Sequence, residues 1–421
     1  MVKYTKYFEK YGLFALFKEK PMKLFSKLLA LVLAFTCVIS LTACKEENTE
    51  ELDTTKYGWA YEIEEKTDDN GVTYAVIEAL YLSDGNKYEL QEEDYDVIDL
   101  VIGENGKINV PVYDEDGNAT YDDNDQLITE EKTYEYYEIA EAAFAGQLLI
   151  GSVKVCPAVT KVGKGAFAGC SNIEKVELSF VGVTATDAVN AEKTFASMFG
   201  TAEAANCTAA NVSYNTTGTA TYYIPNALEE IVVNYGENGV LPAYAFNGLS
   251  TVKKITVTGI TAIQNGTFAN CTGLYEVVIP DAVTEIGKSA FAGCTNLLKI
   301  NANENGVINF PASLANVYQE AFSGCSRLGY GKNTVVALPA SIQYVGEKAF
   351  YNCTEITVLD LSNLNTVESA CFYGCTSLNT LTLKAGATVL NNAFGNCTSL
   401  KAANVTNLPA EDVNAGFDFA E

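Results

Sequence analysis

The 421-residue sequence contains no histidine, and this absence excludes much of the chemistry that a chain of this size could carry. Histidine is the commonest general base and the commonest metal ligand, so Ser-His and Cys-His catalytic arrangements are excluded together. Basic residues are also scarce, because 27 Lys and Arg stand against 53 Asp and Glu for a net charge of −26. Nucleic acid binding needs a basic face, and we therefore predict no nucleic acid partner.

Acidic residues are unevenly distributed along the chain. Residues 45–141 hold 30 of them beside 6 lysines, whereas residues 142–421 hold 21 beside 14 basic residues. In the later region the acids are spaced singly, and no pattern pairs two carboxylates as glycoside hydrolysis requires. The sequence therefore predicts no catalytic residue, no cofactor and no metal site, and a glycan-active enzyme is the least favoured alternative.

The amino-terminal region has the pattern of a secretory signal peptide. Lys23 and Lys27 precede an apolar run over 28–39, which is too short to span a membrane. We therefore predict a signal peptide over residues 1–44 and an exported protein. Met22 is itself an adequate start, so residues 1–21 are either an upstream, mis-assigned start or an extended charged region.

The predicted signal peptide ends with Leu41-Thr42-Ala43-Cys44. This ending resembles the lipobox of bacterial lipoproteins, in which the cysteine is diacylated and becomes the first residue of the mature protein. The resemblance implies that Cys44 is the lipid attachment site, and more than one acyl chain is enough for stable anchoring. It also implies an exported, membrane-anchored lipoprotein at the cell surface.

Two acidic segments follow this cysteine. Residues 45–56 are polar and charged, which predicts a flexible tether. Residues 57–139 contain β-rich runs separated by Asn-Gly and Asp-Gly pairs, and these pairs are strong signals for hairpin turns. We expect a small antiparallel β cap there. Within it, the acidic run 114–125 is either a calcium site or an exposed hairpin, and its spacing departs from the EF-hand loop.

A phenylalanine recurs at intervals of 22 to 31 residues through the second half of the chain, and an earlier pair is 23 residues apart. A period of this size is the signature of a solenoid, whose units are too small to bury their own apolar face and stack on one another. The repeat-defining phenylalanines are Phe144, Phe167, Phe246, Phe268, Phe291, Phe322, Phe350, Phe372 and Phe394.

A cysteine lies three residues after most of these phenylalanines, at Cys170, Cys271, Cys294, Cys325, Cys353, Cys375 and Cys397. This regularity predicts an internal column of thiols that behave as small apolar groups. Strands stack at about 4.8 Å, whereas the Cβ atoms of a disulfide are roughly 3.5–4.5 Å apart, so we expect reduced thiols. One cysteine from each coil also cannot surround zinc tetrahedrally.

The residues around each corner recur as well. Residues 274–297 read L-x-x-V-x-I-P-x-x-V-x-x-I-G-x-x-A-F-x-G-C-x-x-L, and the apolar alternation predicts one inward-facing strand followed by a second, shorter one. This unit resembles the BspA-like leucine-rich repeats of bacterial surface proteins. The implied fold is an α/β-type leucine-rich repeat solenoid over residues 140–408, dominated by short parallel β-strands and closed by a cap over 409–421.

Residues 179–235 are longer than one repeat and resemble an expanded unit of the same family. We expect a short helix over the Ala-rich residues 187–198 and a polar loop over 206–218. An insertion on one side of a solenoid is a natural place for a ligand contact. A loop without function is the alternative interpretation.

The BspA-like resemblance implies adhesion to host matrix proteins or to other bacteria, by analogy of fold. We therefore predict a lipid-anchored cell-surface protein that binds an unidentified protein or glycan, and a structural spacer without a ligand is the alternative. The low charge of residues 142–421 predicts binding through hydrogen bonds and aromatic stacking, with little salt dependence.

Overall fold

The computed structural model describes residues 59–82, 98–122, 127–184, 193–303, 308–331, 334–409 and 416–419. All of them belong to the unit that spans residues 54–421. The predicted signal peptide, Cys44 and the tether lie outside the described residues, as does most of the predicted end cap. Within the described ranges, no helix has both the length and the apolar content needed to span a membrane.

The chain forms short strands joined by turns and by the 3₁₀ helices Glu104–Gly106, Phe195–Met198 and Ala402–Asn404. The first strands are β1 (Trp59–Thr67), β2 (Thr73–Leu82), β3 (Ile98–Ile102), β4 (Lys107–Pro111), β5 (Thr129–Thr133), β6 (Tyr137–Ile139), β7 (Ile150–Val155), β8 (Val159–Val162) and β9 (Lys175–Leu178). The chain continues with β10 (Cys207–Ser213), β11 (Thr219–Pro225), β12 (Glu230–Gly239), β13 (Lys254–Ile260), β14 (Ala262–Ile263), β15 (Glu276–Val278), β16 (Glu285–Ile286) and β17 (Lys299–Ile300). The last strands are β18 (Asn316–Val317), β19 (Val335–Ala337), β20 (Tyr344–Val345), β21 (Val358–Leu361), β22 (Thr366–Val367), β23 (Thr380–Leu383), β24 (Thr388–Val389) and β25 (Val405–Thr406).

Most repeat coils contribute one strand to each of two parallel stacks. The first sheet has the order β3-β7-β9-β12-β13-β15-β17, and β19-β21-β23-β25 form its equivalent in the later coils. The second sheet is made of three parts, β1-β2-β6-β8, β14-β16-β18-β20 and β22-β24. Neighbouring repeat strands pair in parallel and in register. The predicted solenoid of short parallel strands is therefore confirmed.

The region expected to be an antiparallel cap is only partly antiparallel. The hairpins β1–β2 and β4–β5 have the expected antiparallel pairing. In contrast, β3 pairs in parallel with β7, and β6 lies in parallel between β2 and β8. The inward-facing side chains of β3 and β6 are fully buried, as in the repeats. Parallel stacking therefore begins before residue 140, where the solenoid was expected to start.

The acidic run of the cap forms a local turn. The carboxylate of Asp114 accepts the backbone N–H groups of Asp116 and Asn118, each at 2.9 Å, and Tyr113 bridges to Ala119 across the turn. These hydrogen bonds hold the pKa of Asp114 below its usual value, because they stabilise the ionised form. The contacts favour the exposed hairpin over the calcium site, although residues 123–126 of the run lie outside the described residues.

The corner phenylalanines form a continuous column inside the solenoid. From Phe246 to Phe394 the rings of successive coils stack with centroids 4.8 to 5.5 Å apart and interplanar angles of 2° to 14°. Phe417 adds another ring at 5.0 Å from Phe394, followed by Phe419. The sequence pattern did not identify these last two rings, which lie beyond the final recognisable corner.

Backbone hydrogen bonds hold the corners at the same spacing. Each corner phenylalanine donates its N–H to the carbonyl of the residue before the next phenylalanine, as Phe291 does to Ala321 and Phe322 does to Ala349, both at 2.7 Å. The corner therefore acts as a third ladder beside the two sheets. Because side chain and backbone both link adjacent coils here, the phenylalanine position is the most constrained of the repeat.

In the expanded unit, a 3₁₀ helix takes the place of one corner. Phe167 donates its N–H to Met198, and Phe195 donates to Ala245, so the helix meets one coil at each end. The rings of Phe195 and Phe199 are 5.6 Å apart, and Phe195 lies 5.9 Å from Phe246. The backbone ladder of the corners therefore continues through the insertion, and Phe195 joins the aromatic column on the side of Phe246.

Two expectations for the expanded unit change with the structure. The only described part of the expected helix over 187–198 is its end, residues 193–198, which holds the short 3₁₀ helix. The expected polar loop over 206–218 is wrong, because it contains β10, which pairs antiparallel with β11. Ala210 and Val212 point inward from β10. Two inward apolar residues are too few for the alternation to predict a strand. The hairpin is held to a corner by Asn247, whose Oδ1 accepts the N–H of Ser213 at 2.8 Å.

Charged side chains alternate in sign along the outer face of the first sheet. At one register position the consecutive strands present Lys175, Glu230, Lys254, Glu276 and Lys299. Their N–O distances are 3.4, 3.9, 3.9 and 3.6 Å in that order. We call this set the ion column. Each inner member lies between two partners of opposite charge. The pairs therefore offset one another's charge on the outer face of the first sheet. They also disfavour a shift of one coil against the next, because a shift would break them.

The ion column predicts that Lys254→Glu is more destabilising than a neighbouring charge reversal. The change places three carboxylates in a row and should lower the free energy of unfolding by about 1–2 kcal/mol at low salt. Screening by salt should reduce the loss. The measurement is urea unfolding at low and high salt. Lys253→Glu is the matched control, because Lys253 pairs with Glu229 at the side of the column. Equal losses in the two variants would contradict the role of the column.

Candidate functional site

The phenylalanines and cysteines singled out by the repeat pattern all lie in the interior. Each column cysteine donates its S–H to the carbonyl of the phenylalanine in the preceding coil, with Sγ–O distances of 3.0 to 3.5 Å. All ten cysteines of the described residues are free thiols. The column cysteines therefore fill a small apolar space and supply a weak donor to a buried carbonyl.

Burial makes these thiols unreactive. It raises the pKa of Cys170 and of Cys397 to about 12, and it raises the pKa of Cys271, Cys294 and Cys353 well above the ordinary value. The thiolate is the reactive form, and it is disfavoured where water is excluded. The cysteine column is therefore structural, and a functional site has to be sought on the surface.

The expanded unit interrupts the second sheet and leaves a cleft. The strands β9 and β12 both belong to the first sheet, but among the described residues their coils add no assigned strand between β8 and β14. Beside β8, Lys161 forms an antiparallel bridge with Thr184, and the N–H of Val162 donates to the carbonyl of Val183 at 2.8 Å. On the cleft side, β14 has no strand neighbour among the described residues. The cleft has a volume of about 850 Å³ and is lined from Pro157 and Val159 on one side to Gln264 on the other.

A bulge in β12 shapes the floor of the cleft. The register of β12 against β13 shifts between Asn234 and Gly239, so residues 235–238 leave the ladder. Gly259 lies directly beneath the bulge with φ of +74°, and a Cβ there would come 2.2 Å from the carbonyl oxygen of Tyr235. Only glycine tolerates this approach. Bulges redirect side chains. The bulge here includes Tyr235, whose half-buried side chain is one of those that line the cleft.

The cleft combines an apolar wall with a few polar groups. Val240 supplies exposed apolar surface at 66% exposure, and the buried side chains of Phe180, Val181 and Leu241 also belong to the lining. The Oγ of Ser179 is buried at the wall and has no hydrogen-bond partner among the described residues. An apolar lining with a few fixed polar atoms is the usual composition of a binding pocket.

The titratable groups of the cleft suit binding rather than proton transfer. Burial raises the pKa of Tyr235, so its phenol stays protonated at neutral pH and offers a donor. Lys193 directs its ammonium group to the carbonyl of Thr184 at 3.3 Å. A raised pKa does not suit Tyr235 to the role of a general base at neutral pH.

Sequence reasoning located the expanded unit but not the residues of the cleft. Val240 lies six residues before the corner Phe246, at a repeat position where other coils have unlike residues such as Ala262 and Glu285, so no periodic signal marks it. A second missed feature is Tyr318, which occupies the position where other coils have Gly287 or Gly346. An aromatic residue in place of a repeated glycine is a signal that the sequence did contain.

The parallel coils, the corner columns and the interrupted second sheet define a leucine-rich repeat solenoid protein with an elaborated unit. Residues 120–411 match the family model described as a BspA type leucine rich repeat region in six copies, through overlapping matches over 120–238, 216–308, 239–330 and 305–411. The chain belongs to the BspA type leucine rich repeat family. No curated protein sequence matches it.

Several solved structures are similar to this chain. A leucine rich repeat protein of T. pallidum is 24% identical, covers 47% of this chain and 88% of its own, and has a TM-score of 0.37. A leucine rich cell surface protein from Faecalibacterium prausnitzii is 16% identical over 90% of this chain and 95% of its own, with a TM-score of 0.27. A leucine-rich repeat protein from Bacteroides ovatus is 18% identical over 86% and 98%, with a TM-score of 0.23.

The cysteine column predicts a loss of stability in alkaline solution. The folded chain keeps these thiols protonated, whereas the unfolded chain releases their protons above pH about 9. The free energy of unfolding should therefore stay constant below that pH and fall as the pH rises towards the raised pKa values. Urea unfolding across this range measures the slope. The double variant Cys294→Ala, Cys325→Ala should show a shallower slope.

The chemical state of the cysteines provides the control for this experiment. A thiol assay on the unfolded chain without reductant should find the ten described cysteines reactive. A count near zero would show that the column is oxidised. An unchanged slope in the double variant would contradict the assignment of the alkaline loss to the column.

Proposed function

We propose that this protein is a lipid-anchored binding protein of the bacterial cell surface, which attaches the cell to a host matrix protein or to another cell. Membership of the BspA type leucine rich repeat family supports a binding role, and the lipobox ending at Cys44 supports anchoring. The observation that carries the proposal is the cleft of the expanded unit, because it is a built concavity in an otherwise regular solenoid.

The occupant that fits the cleft is an extended segment of a partner protein. Among the described residues, no strand pairs with β14 on the side of the cleft, and strands of a sheet lie about 4.8 Å apart. An extended chain can therefore enter the cleft and pair with β14, as in other cases of strand addition. Its side chains would alternate between the apolar wall at Val240 and the solvent.

The polar groups of the cleft also suit a peptide. The buried Oγ of Ser179 can donate to a backbone carbonyl or accept from a backbone N–H, and binding would satisfy a group that is otherwise costly to bury. The amide of Gln264 lies at the β14 side of the cleft. A small molecule would use the apolar wall but would leave the strand edges unpaired.

Two alternatives make different predictions. A glycan-active enzyme would turn over a substrate, and a structural spacer would bind nothing. An array of matrix proteins and glycans, probed with the full chain, separates the three functions: saturable binding without turnover supports the proposal, whereas turnover or no binding would contradict it.

The role of the cleft predicts that Val240→Arg abolishes peptide binding. The probe is a phage-displayed library of random linear peptides, selected on the full chain. Selected peptides should bind at least about tenfold more weakly to Val240→Arg, since the bulky cation occupies the apolar wall. Val335→Arg is the matched control, because Val335 is an exposed valine on β19. The absence of enriched peptides, or equal binding to the two variants, would refute a peptide-binding cleft.

The anchoring proposal predicts that Cys44→Ala abolishes lipid attachment. Cells grown with an alkyne-labelled fatty acid should incorporate the label into the wild-type chain, and the variant should lack label and leave the membrane fraction. Cys37→Ala is the matched control, since Cys37 lies inside the apolar run of the signal peptide. Label that persists in Cys44→Ala would exclude this cysteine as the attachment site.

A further inference from the structure

Two exposed tyrosines lie side by side on the outer face of the second sheet. Tyr344 belongs to β20, and Tyr318 directly follows the neighbouring strand β18. Their side chains are 40% and 37% exposed. The ring centroids are 6.2 Å apart and the planes are tilted by 56°. The two rings, which we call the tyrosine pair, therefore present two flat faces at an angle to each other.

The neighbouring coils leave space around Tyr318. The register places Tyr318 between Gly287 in the preceding coil and Gly346 in the next. A Cβ at either glycine would come 2.7 Å from a backbone nitrogen, so both positions have to stay without a side chain. Of the three coils, only the middle one therefore has a side chain at this position, the ring of Tyr318.

Fixed polar groups lie directly beside the rings. The hydroxyl of Tyr318 donates to Oε1 of Glu285 at 3.3 Å, and the amide of Asn316 donates to the same oxygen at 3.4 Å. These two contacts orient the carboxylate along the sheet. A carboxylate offers about four acceptor positions, so Glu285 retains capacity for two further donors.

The phenols themselves remain donors at neutral pH. Desolvation raises the pKa of Tyr318, with a further contribution from the carboxylate of Glu285. Desolvation also raises the pKa of Tyr344, with a contribution from Glu368. Both hydroxyls are therefore neutral. Tyr344 can donate its proton to a ligand, whereas Tyr318 donates to Glu285 and can accept a hydrogen bond.

This arrangement matches the chemistry of a neutral sugar. A hexopyranose ring has an apolar face of C–H groups, which packs on an aromatic ring, and an edge of hydroxyl groups, which donate to a carboxylate in strong, charge-assisted hydrogen bonds. We propose that the tyrosine pair and Glu285 form a binding site for a neutral hexopyranose unit of a surface glycan. The site is separate from the cleft and does not depend on the peptide-binding proposal.

A protein side chain fits the site less well. The outward positions on neighbouring strands are the polar Glu285, Asn316 and Thr366, whereas the anchors of protein interfaces lie in apolar, desolvated surroundings. A lysine or arginine of a partner would be drawn to the carboxylate, but that contact would weaken strongly with salt. A neutral sugar would bind equally well at low and high salt.

The test uses the full chain, purified in a detergent without a sugar headgroup. The probes are the methyl glycosides of glucose, galactose and mannose, and the measurement is saturation-transfer difference NMR. At least one glycoside should receive saturation at its C–H protons. Tyr344→Ala and Tyr318→Ala should each weaken its binding about tenfold or more, which is the loss typical of a stacking contact. Glu285→Gln should cause a smaller loss.

Three controls separate this site from other causes. Tyr344→Phe keeps the ring and should retain binding, which excludes a general folding defect. Tyr330→Ala removes a more exposed tyrosine, at 52%, from another part of the surface and should have no effect. Val240→Arg changes only the cleft and should also have no effect, so failure of one proposal is distinguishable from failure of the other.

Several results would overturn the proposal. One is the absence of saturation transfer from all three glycosides at millimolar concentrations. Another is glycoside binding that survives both tyrosine-to-alanine changes. A third is salt-sensitive binding of a lysine-rich peptide at the tyrosine pair in the absence of any glycoside binding, which would identify a protein partner instead.

Discussion

The stacking of each coil on the next is the constraint on which the rest of this structure depends. A single coil of two short strands and a corner has an apolar side that it cannot bury alone. The corner phenylalanine stacks on its equivalent in the next coil, with ring centroids about 5 Å apart, and its N–H bonds to the following corner. The cysteine of the next coil then donates to its carbonyl. One residue thus carries a stacking contact and two types of hydrogen bond, so this position varies least along the array.

The same constraint explains how the solenoid accommodates an insertion. An expanded unit is compatible with the array only if it keeps the corner ladder continuous. The 3₁₀ helix does so, because Phe167 donates its N–H to Met198 and Phe195 donates its N–H to Ala245. In the second sheet, no assigned strand of the described residues continues the parallel pairing from β8 to β14. The interior is therefore preserved while the surface is opened, which is why the cleft lies at the expanded unit.

The sequence predicts the regular part of this fold well, because a residue that recurs at a fixed interval marks a position that is stacked in space. The buried phenylalanines and cysteines, the parallel strands and the location of the expanded unit follow from that rule. The interior of the expanded unit does not repeat, so β10 could not be distinguished from a polar loop. The ion column was also hidden, because Lys175 and Glu230 are adjacent in the sheet but separated in sequence by the expanded unit. The cleft depends on the bulge in β12 and on the unpaired side of β14, and neither leaves a residue pattern in the sequence.

The distribution of charge also bears on where a partner can bind. The ion column neutralises the outer face of the first sheet, and its side chains already have partners. The second sheet carries the exposed rings and lies beside the cleft. The strand β14 lies at the edge of the cleft, and β18 leads directly into Tyr318. Only β16 lies between these two strands, so β14 and β18 are about 10 Å apart. The two proposed sites are therefore close enough for one partner to reach both. Contacts at two linked sites form within one complex, at a high effective concentration, so two weak contacts can give a strong overall affinity.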